Sequence, residues 1–328
     1  MSRELIARIL IDGDHHYGSK NHGGHRDYAS ESLYYGNEIN KIIKEKEITH
    51  SIGTGDLTYG NFHTLDYRAK VDALLEERNR LVSGNFWIVK GNHDKSSSGT
   101  TEYEYYAAKG TFRTSEVLDI GIGTPGGGLH IEMKNYGDKS EFTRVEGAYN
   151  LIIGHGLYSM TNDGMPKYGE PNIQLDNFEP WAGVDMIIAG HIHSEHLVKG
   201  RICGKEIAVH YLPCLCRPAY IRAGMPETGT VDIISIYTDG VEIEPYEVQL
   251  LPLDVSFDLE AIKRADEANA IRVEQKVDVA DVAKRLEEHV RVINDPLSAI
   301  EHMEGIEPSV KQLAAEIYKE AAMRSSKS

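Results

Sequence analysis

Five short stretches of this 328-residue chain combine glycine with aspartate, asparagine or histidine, and each closes an apolar run. They are Asp14-His15-His16-Tyr17-Gly18, Gly55-Asp56, Gly91-Asn92-His93-Asp94, Gly154-His155-Gly156 and Gly190-His191-Ile192-His193. Residues two apart on an extended segment point the same way, so Asp14 pairs with His16, and His191 with His193. With Asp56, Asn92 and His155 they supply two carboxylates, one amide oxygen and four imidazoles. Such a mixed oxygen and nitrogen set suits Mn, Fe, Zn or Co better than Ca. Seven donors are too many for one ion that must keep an open position, whereas two divalent ions sharing a carboxylate use them economically. A single Gly-Asp or Gly-His pair says little in a chain with 31 glycines. The Gly-Asn-His-Asp run is more specific, because three polar groups directly after Trp87-Ile88-Val89 have no packing rationale.

The elements that must position these groups can be read from periodicity. Short apolar runs alternating with longer amphipathic stretches predict an α/β fold, with strands at Leu5–Ile11, Thr49–Gly53, Phe86–Val89, Asn150–Ile153 and Val184–Ala189. Tyr28–Lys46 and Leu65–Val82 carry apolar residues at helical spacing, as in Ile39, Ile42 and Ile43, and predict covering helices. Ligand sites in α/β sheets lie off the carboxyl ends of the strands, so the five clusters are expected in one crevice. From His191 to Leu253 the chain is rich in β-branched and aromatic residues and fits a second, antiparallel layer with a hairpin from Gly229 to Gln249. Beyond Pro252 it turns to Ala, Glu, Lys and Arg, with helical patterns at Leu259–Ala270, Val279–Val292 and Pro308–Met323, interrupted at Asn294-Asp295-Pro296. The expected division is a catalytic domain over 1–252 and a helical appendage over 253–328.

Bulk properties narrow the partners. With 51 acidic against 35 basic residues the formal net charge is −16, which repels a polyanion unless a local positive field overcomes it. Cys203, Cys214 and Cys216 are odd in number and lack Cys-x-x-Cys spacing, which argues against a disulfide framework and a thiolate zinc site. The first residues lack a secretory pattern, and no apolar run approaches the roughly 20 residues needed to span a bilayer. A soluble, cytoplasmic protein without a membrane partner is expected.

The ordered clusters resemble the signature of the calcineurin-like metallophosphoesterase superfamily: D-x-H at Asp14/His16, G-D at Gly55-Asp56, G-N-H-D/E at Gly91–Asp94, G-H at Gly154-His155 and G-H-x-H at Gly190–His193. The resemblance implies a four-layer α/β/β/α sandwich and a two-metal phosphoester hydrolase, with Mn the foremost metal. By the same resemblance Asp14, His16 and His193 hold one ion, Asn92, His155 and His191 hold the other, and Asp56 bridges them. Two divalent cations against two carboxylates give the local positive field that binds phosphate on an acidic chain. The metals would make hydroxide available at neutral pH. His93 is the expected catalytic partner, as proton donor to the leaving oxygen or as stabiliser of transition-state charge. Asp94 is expected either to orient that imidazole or to cap the following segment.

Within the superfamily, phosphoprotein phosphatases typically read G-N-H-E in the third motif, whereas this chain ends it in Asp94. The layout is most similar to the DNA double-strand-break repair exonucleases, in which a β region and C-terminal helices follow the last motif. That resemblance implies a phosphodiesterase acting on DNA, a coiled-coil ATPase partner and a homodimer. Small phosphodiesters and phosphomonoesters form the alternative substrate class, and a non-catalytic scaffold is disfavoured because all seven ligand positions are filled. His15 is expected to face away from the ligands, while His22, His25, Tyr59, Asn61 and His63 are candidates for the rim of the crevice.

Overall fold

The computed structural model describes residues 3–19, 26–59, 62, 64–95, 100–114, 116–160, 173–216, 227–265, 267–268, 311–313 and 315–316. The chain forms two compact units, Met1–Asp258 and Leu259–Ser328. In the second, 259–265, 267–268, 311–313 and 315–316 are helical, while the pattern at Val279–Val292 and the break at Asn294–Pro296 lie outside the described residues.

The first unit runs β1 (Leu5–Asp12), α1 (Tyr28–Glu45), β2 (His50–Gly53), α2 (Leu65–Leu81), β3 (Phe86–Ile88), α3 (Glu102–Lys109), β4 (Val117–Ile120), β5 (Leu129–Lys134) and β6 (Tyr149–His155). It continues with β7 (Tyr158–Ser159), β8 (Ile173–Gln174), β9 (Met186–Gly190), β10 (His196–Ile202), β11 (Lys205–Tyr211), β12 (Thr228–Tyr237), β13 (Gly240–Gln249) and α4 (Leu253–Ser256). One sheet has the order β13-β12-β1-β2-β3 and the other β10-β11-β9-β6-β5-β4. In the first, β1, β2 and β3 are parallel; in the second, β5, β6, β9 and β11 are.

Side-chain alternation makes the layers. In β1, Ile9 and Ile11 enter the core between the sheets with Ile52, Trp87, Ile131, Ile153, Ile188 and Ile234, whereas Leu10 points to the helix layer. There Tyr35, Ile39 and Ile43 of α1 and Val71 and Leu75 of α2 cover Phe86 and Ile88. The outer face of the second sheet packs Ile187, Val209 and Tyr211 under Trp181 and Leu175. Among the described residues that fourth layer consists of two 3-10 turns, Leu175–Asn177 and Glu179–Trp181. No helix of the described residues is long and apolar enough to cross a membrane.

Two features depart from the sequence expectation. The β-rich stretch after His191 is no separate layer: β10 and β11 extend the second sheet, and the β12–β13 hairpin pairs antiparallel with β1 in the first. Both sheets thereby gain antiparallel edges, and each strand finds the partner that leaves its apolar face inside. The segment carrying α3, β4 and β5 also holds elements that periodicity did not single out. Its signal was local: Thr101 and Glu104 form a reciprocal capping box at the start of α3.

A buried ion pair fastens α2 to the end of β1. Arg78 reaches Asp12 with two hydrogen bonds, Nη1 to Oδ2 at 2.8 Å and Nη2 to Oδ1 at 2.7 Å, and donates to Ser51 Oγ of β2. Burial alone would raise the Asp12 carboxyl, but Arg78 and His15 pull it down to about 2. The carboxylate therefore contributes stability above its ordinary value of 3.8, and that contribution is lost as pH falls through about 2. Arg78→Met leaves Asp12 in the core with only His15 beside it, which should cost about 3 kcal/mol, read as a lowered urea midpoint. Asp12→Leu in the same chain should restore much of the loss.

Candidate metal centre

Each functional cluster sits in the loop that leaves a parallel strand. Asp14 and His16 follow β1, Asp56 follows β2, and Asn92, His93 and Asp94 follow β3; His155 ends β6, and His191 and His193 follow β9. The crevice expected from one sheet is thus built by two, three strand ends from the first and two from the second. The structure brings all seven predicted ligands together. Asp14, His16, Asp56 and His193 offer donor atoms within 4.8 Å of one another. His16 Nε2 and His193 Nε2 lie 2.8 Å apart, with Asp14 Oδ2 3.3 Å from His193 Nε2. Asn92 Oδ1 lies 2.9 Å from both His155 Nε2 and His191 Nδ1. Asp56 Oδ2 stands between these groups, 3.8 Å from His16 Nε2 and 3.3 Å from His155 Nε2.

The carboxylates bear on whether cations fit here. One oxygen of each is held by a backbone amide, Asp56 Oδ1 by His93 at 2.8 Å and Asp14 Oδ2 by His191 at 3.0 Å. The other oxygens, Asp56 Oδ2 and Asp14 Oδ1, are buried without a hydrogen-bond partner, as is Nδ1 of His16. Anionic oxygens at this depth without a hydrogen-bond donor are costly unless a cation meets them, and the donor set is one that divalent ions use.

Protonation follows the same logic. Burial disfavours a cationic His155, yet Asp56 and Asp14 outweigh it and raise that imidazole to about 9. Burial lowers His16 to about 4 against the pull of Asp14 and Asp56, and burial with the charge of His155 lowers His191 to about 4. A proton on His155 therefore balances the two carboxylates when no metal does. His155 Nδ1 also lies 3.0 Å from the Thr54 carbonyl, which orients the ring. Thr54 was missed by sequence reading, since a lone backbone acceptor leaves no mark in residue type.

Backbone strain gathers at the same positions. His16, Asp56, His191 and His193 all have positive φ, at 51°, 46°, 96° and 58°. Such conformations cost of order 1 kcal/mol or more each and persist where surrounding structure enforces them. Here the enforcement is a bridge between loops, His16 N to the Asp56 carbonyl and Tyr17 N to that of Leu57, both 2.9 Å. Neighbouring glycines leave the room: a Cβ on Gly91 would stand 2.0 Å from Asp56 Oδ1, and one on Gly190 2.2 Å from Asp14 Oδ1.

The remaining sequence candidates separate clearly. His93 lies at the mouth with its side chain 37% exposed, Nε2 4.0 Å from Asp56 Oδ2. Asp94 does not orient it. Its buried carboxylate accepts from the backbone N–H of Leu57, Thr58 and Gly91 and from Thr58 Oγ1, so it ties the second motif to the third. Burial, aided by Asp56, raises Asp94 to about 6. His15 points into the core as expected, 2.7 Å from Asp12 and stacked on Tyr17. Tyr59 reaches the site, its ring 4.4 Å from that of His93, and Tyr136, unforeseen in the sequence, rests 5.6 Å from His191. His22, His25, Asn61 and His63 lie outside the described residues.

Residues 7–195 match the family model for calcineurin-like phosphoesterases. The chain belongs to the calcineurin-like phosphoesterase family. As a member it is a metal-dependent phosphoesterase, and the matched span contains all seven donors. No curated protein matches the chain. Among solved structures it is similar to a dimetal phosphatase from Danio rerio, at 12% identity and a TM-score of 0.47, over 76% of this chain and 100% of that one.

Two measurements probe this calcineurin-like centre directly. Gly190→Ala should lower bound metal well below the wild-type stoichiometry while the fold persists, read by elemental analysis and far-ultraviolet circular dichroism. Because His155 holds a proton up to about 9 in the metal-free protein, Mn binding at neutral pH should release about one proton or more per chain. Calorimetry in buffers of differing ionisation enthalpy measures it, and the apparent affinity should fall as pH is lowered.

Proposed function

We propose that the chain is a two-metal phosphodiesterase whose substrate is DNA. The observation that carries the two-metal reading is the meeting of seven donors around two buried carboxylate oxygens that accept no hydrogen bond. Asp14, His16 and His193 would hold one ion and Asn92, His155 and His191 the other, with Asp56 shared. When bound, two divalent ions acidify water to a nucleophile and neutralise phosphate charge, and Mn suits the mixed donor set. The amides of His93 and His191 fix the carboxylates of Asp56 and Asp14 that would hold the ions. Asp94 serves as a positioning residue, holding the second and third motif loops in register through its four bonds. His93 faces the open side and donates a hydrogen bond to the phosphoryl or leaving oxygen as negative charge develops there.

Two features support a diester, and DNA in particular, over a phosphoprotein: the third motif ends in Asp94, and a β10–β13 region followed by a second unit whose described residues are helical is similar in layout to the repair exonucleases. On that resemblance the second unit would serve a coiled-coil ATPase and the chain would work as a homodimer.

The test is hydrolysis by metal-free protein reconstituted with Mn, comparing linear double- and single-stranded DNA, a small phosphodiester and a small phosphomonoester. DNA degradation lost in His93→Ala is the expected result, with kcat lowered about 100-fold or more. Turnover of the monoester alone would overturn the diesterase reading. Asp56→Ala should abolish activity on every substrate, and full turnover in that variant would refute the two-metal assignment.

A further inference from the structure

Basic side chains near the centre are mostly occupied with carboxylates: Arg78 with Asp12, Lys90 with Glu104 and Lys134 with Glu132. Lys95, directly after the third motif, is exposed and has no carboxylate partner among the described residues. Its ammonium donates to the Tyr136 carbonyl at 3.3 Å and lies 4.9 Å from the centroid of that ring. Tyr136 is itself held in place, its N–H bonded to the Lys90 carbonyl at 2.8 Å while Asn135 Oδ1 accepts from Lys90 N at 2.7 Å. The half-buried ring rests against His191 and His155, with centroids 5.6 and 6.1 Å away. Tyr59 flanks the other half, 36% exposed, its ring 4.4 Å from His93 and 5.6 Å from His16.

The site thus carries an aromatic ring beside each half and, against one of those rings, an ammonium with no carboxylate partner among the described residues, on a chain of net charge −16. We propose that Tyr136, Lys95 and Tyr59 form the wall that receives the nucleoside side of the substrate. The tyrosine rings take the faces of bases flanking the scissile phosphate, and Lys95 neutralises the adjoining phosphate. Every base has a π face, so such a wall prefers nucleotides without reading sequence. An ammonium without a carboxylate partner meets phosphate without breaking an ion pair, and it supplies positive charge locally where the whole-chain field is repulsive. This rests on the phosphodiesterase reading above and adds to it the residues that would hold the nucleoside.

The test uses the full chain reconstituted with Mn and three substrates: methyl p-nitrophenyl phosphate, the p-nitrophenyl ester of thymidylate, and a single-stranded oligonucleotide. In Tyr136→Leu the ratio of kcat/KM for the thymidylate ester over the methyl ester should fall roughly tenfold, with the loss in KM. In Lys95→Gln, kcat/KM on the oligonucleotide should fall and its log–log salt slope should shrink by about 0.7. Equal losses on both esters in Tyr136→Leu, meaning that the ring only props His191, or an unchanged salt slope in Lys95→Gln, would overturn the wall. Wild-type protein that hydrolyses p-nitrophenyl phosphate and no diester would overturn the diesterase reading and the wall with it. Wild-type diester turnover with an unshifted ratio in Tyr136→Leu would overturn the wall alone.

Discussion

Two carboxylates, Asp14 and Asp56, meet out of solvent where strands from both sheets end, and much of the first unit is arranged to keep them there. Each is essentially inaccessible, and burying two like charges side by side is unfavourable unless something answers them. Backbone amides of His93 and His191 answer one oxygen of each. The second oxygens are left to His155, which lies between them and holds a proton far above its ordinary range for that reason. A site that stabilises a proton so strongly is one that a divalent cation can take over, so the same electrostatics explain both the metal-free state and the function.

Holding that arrangement requires rigidity in the layers and strain in the loops. The strands bury apolar residues on both faces, and α2 is pinned to the end of β1 by the Asp12–Arg78 pair, two residues before Asp14. The loops then leave the strands abruptly, with four ligand candidates in left-handed conformations. Asp94 and the bridge between Tyr17 and Thr58 lock the first three motif loops to one another. Strain of this kind belongs to a site whose geometry is set before any ligand arrives.

The outer surface and the mouth differ in electrostatic character. The chain as a whole is acidic, whereas among the described residues His93 packs on Tyr59 beside the centre and Lys95 on Tyr136. A net charge of −16 works against a polyanion at long range, so binding of a phosphoester depends on positive charge held locally at the centre.

Residue type and order alone picked out the seven candidate donors that the fold gathers: they were legible because each follows an apolar run, and a strand end is where an α/β fold exposes polar groups. The same periodicity located β1, β2, β3, β6 and β9, both long helices and the β12–β13 hairpin. Tertiary structure decided which sheet each strand joined, since β-rich runs carry no record of their partners; hence β10–β11 and β12–β13 went to different sheets. It also decided the role of Asp94, whose neighbour in sequence is His93 but whose partners are the amides of Leu57, Thr58 and Gly91. Thr54 and Tyr136 came to the site in the same way, through a backbone carbonyl and ring contacts. Those are properties of distance in space, and a linear pattern records only distance along the chain.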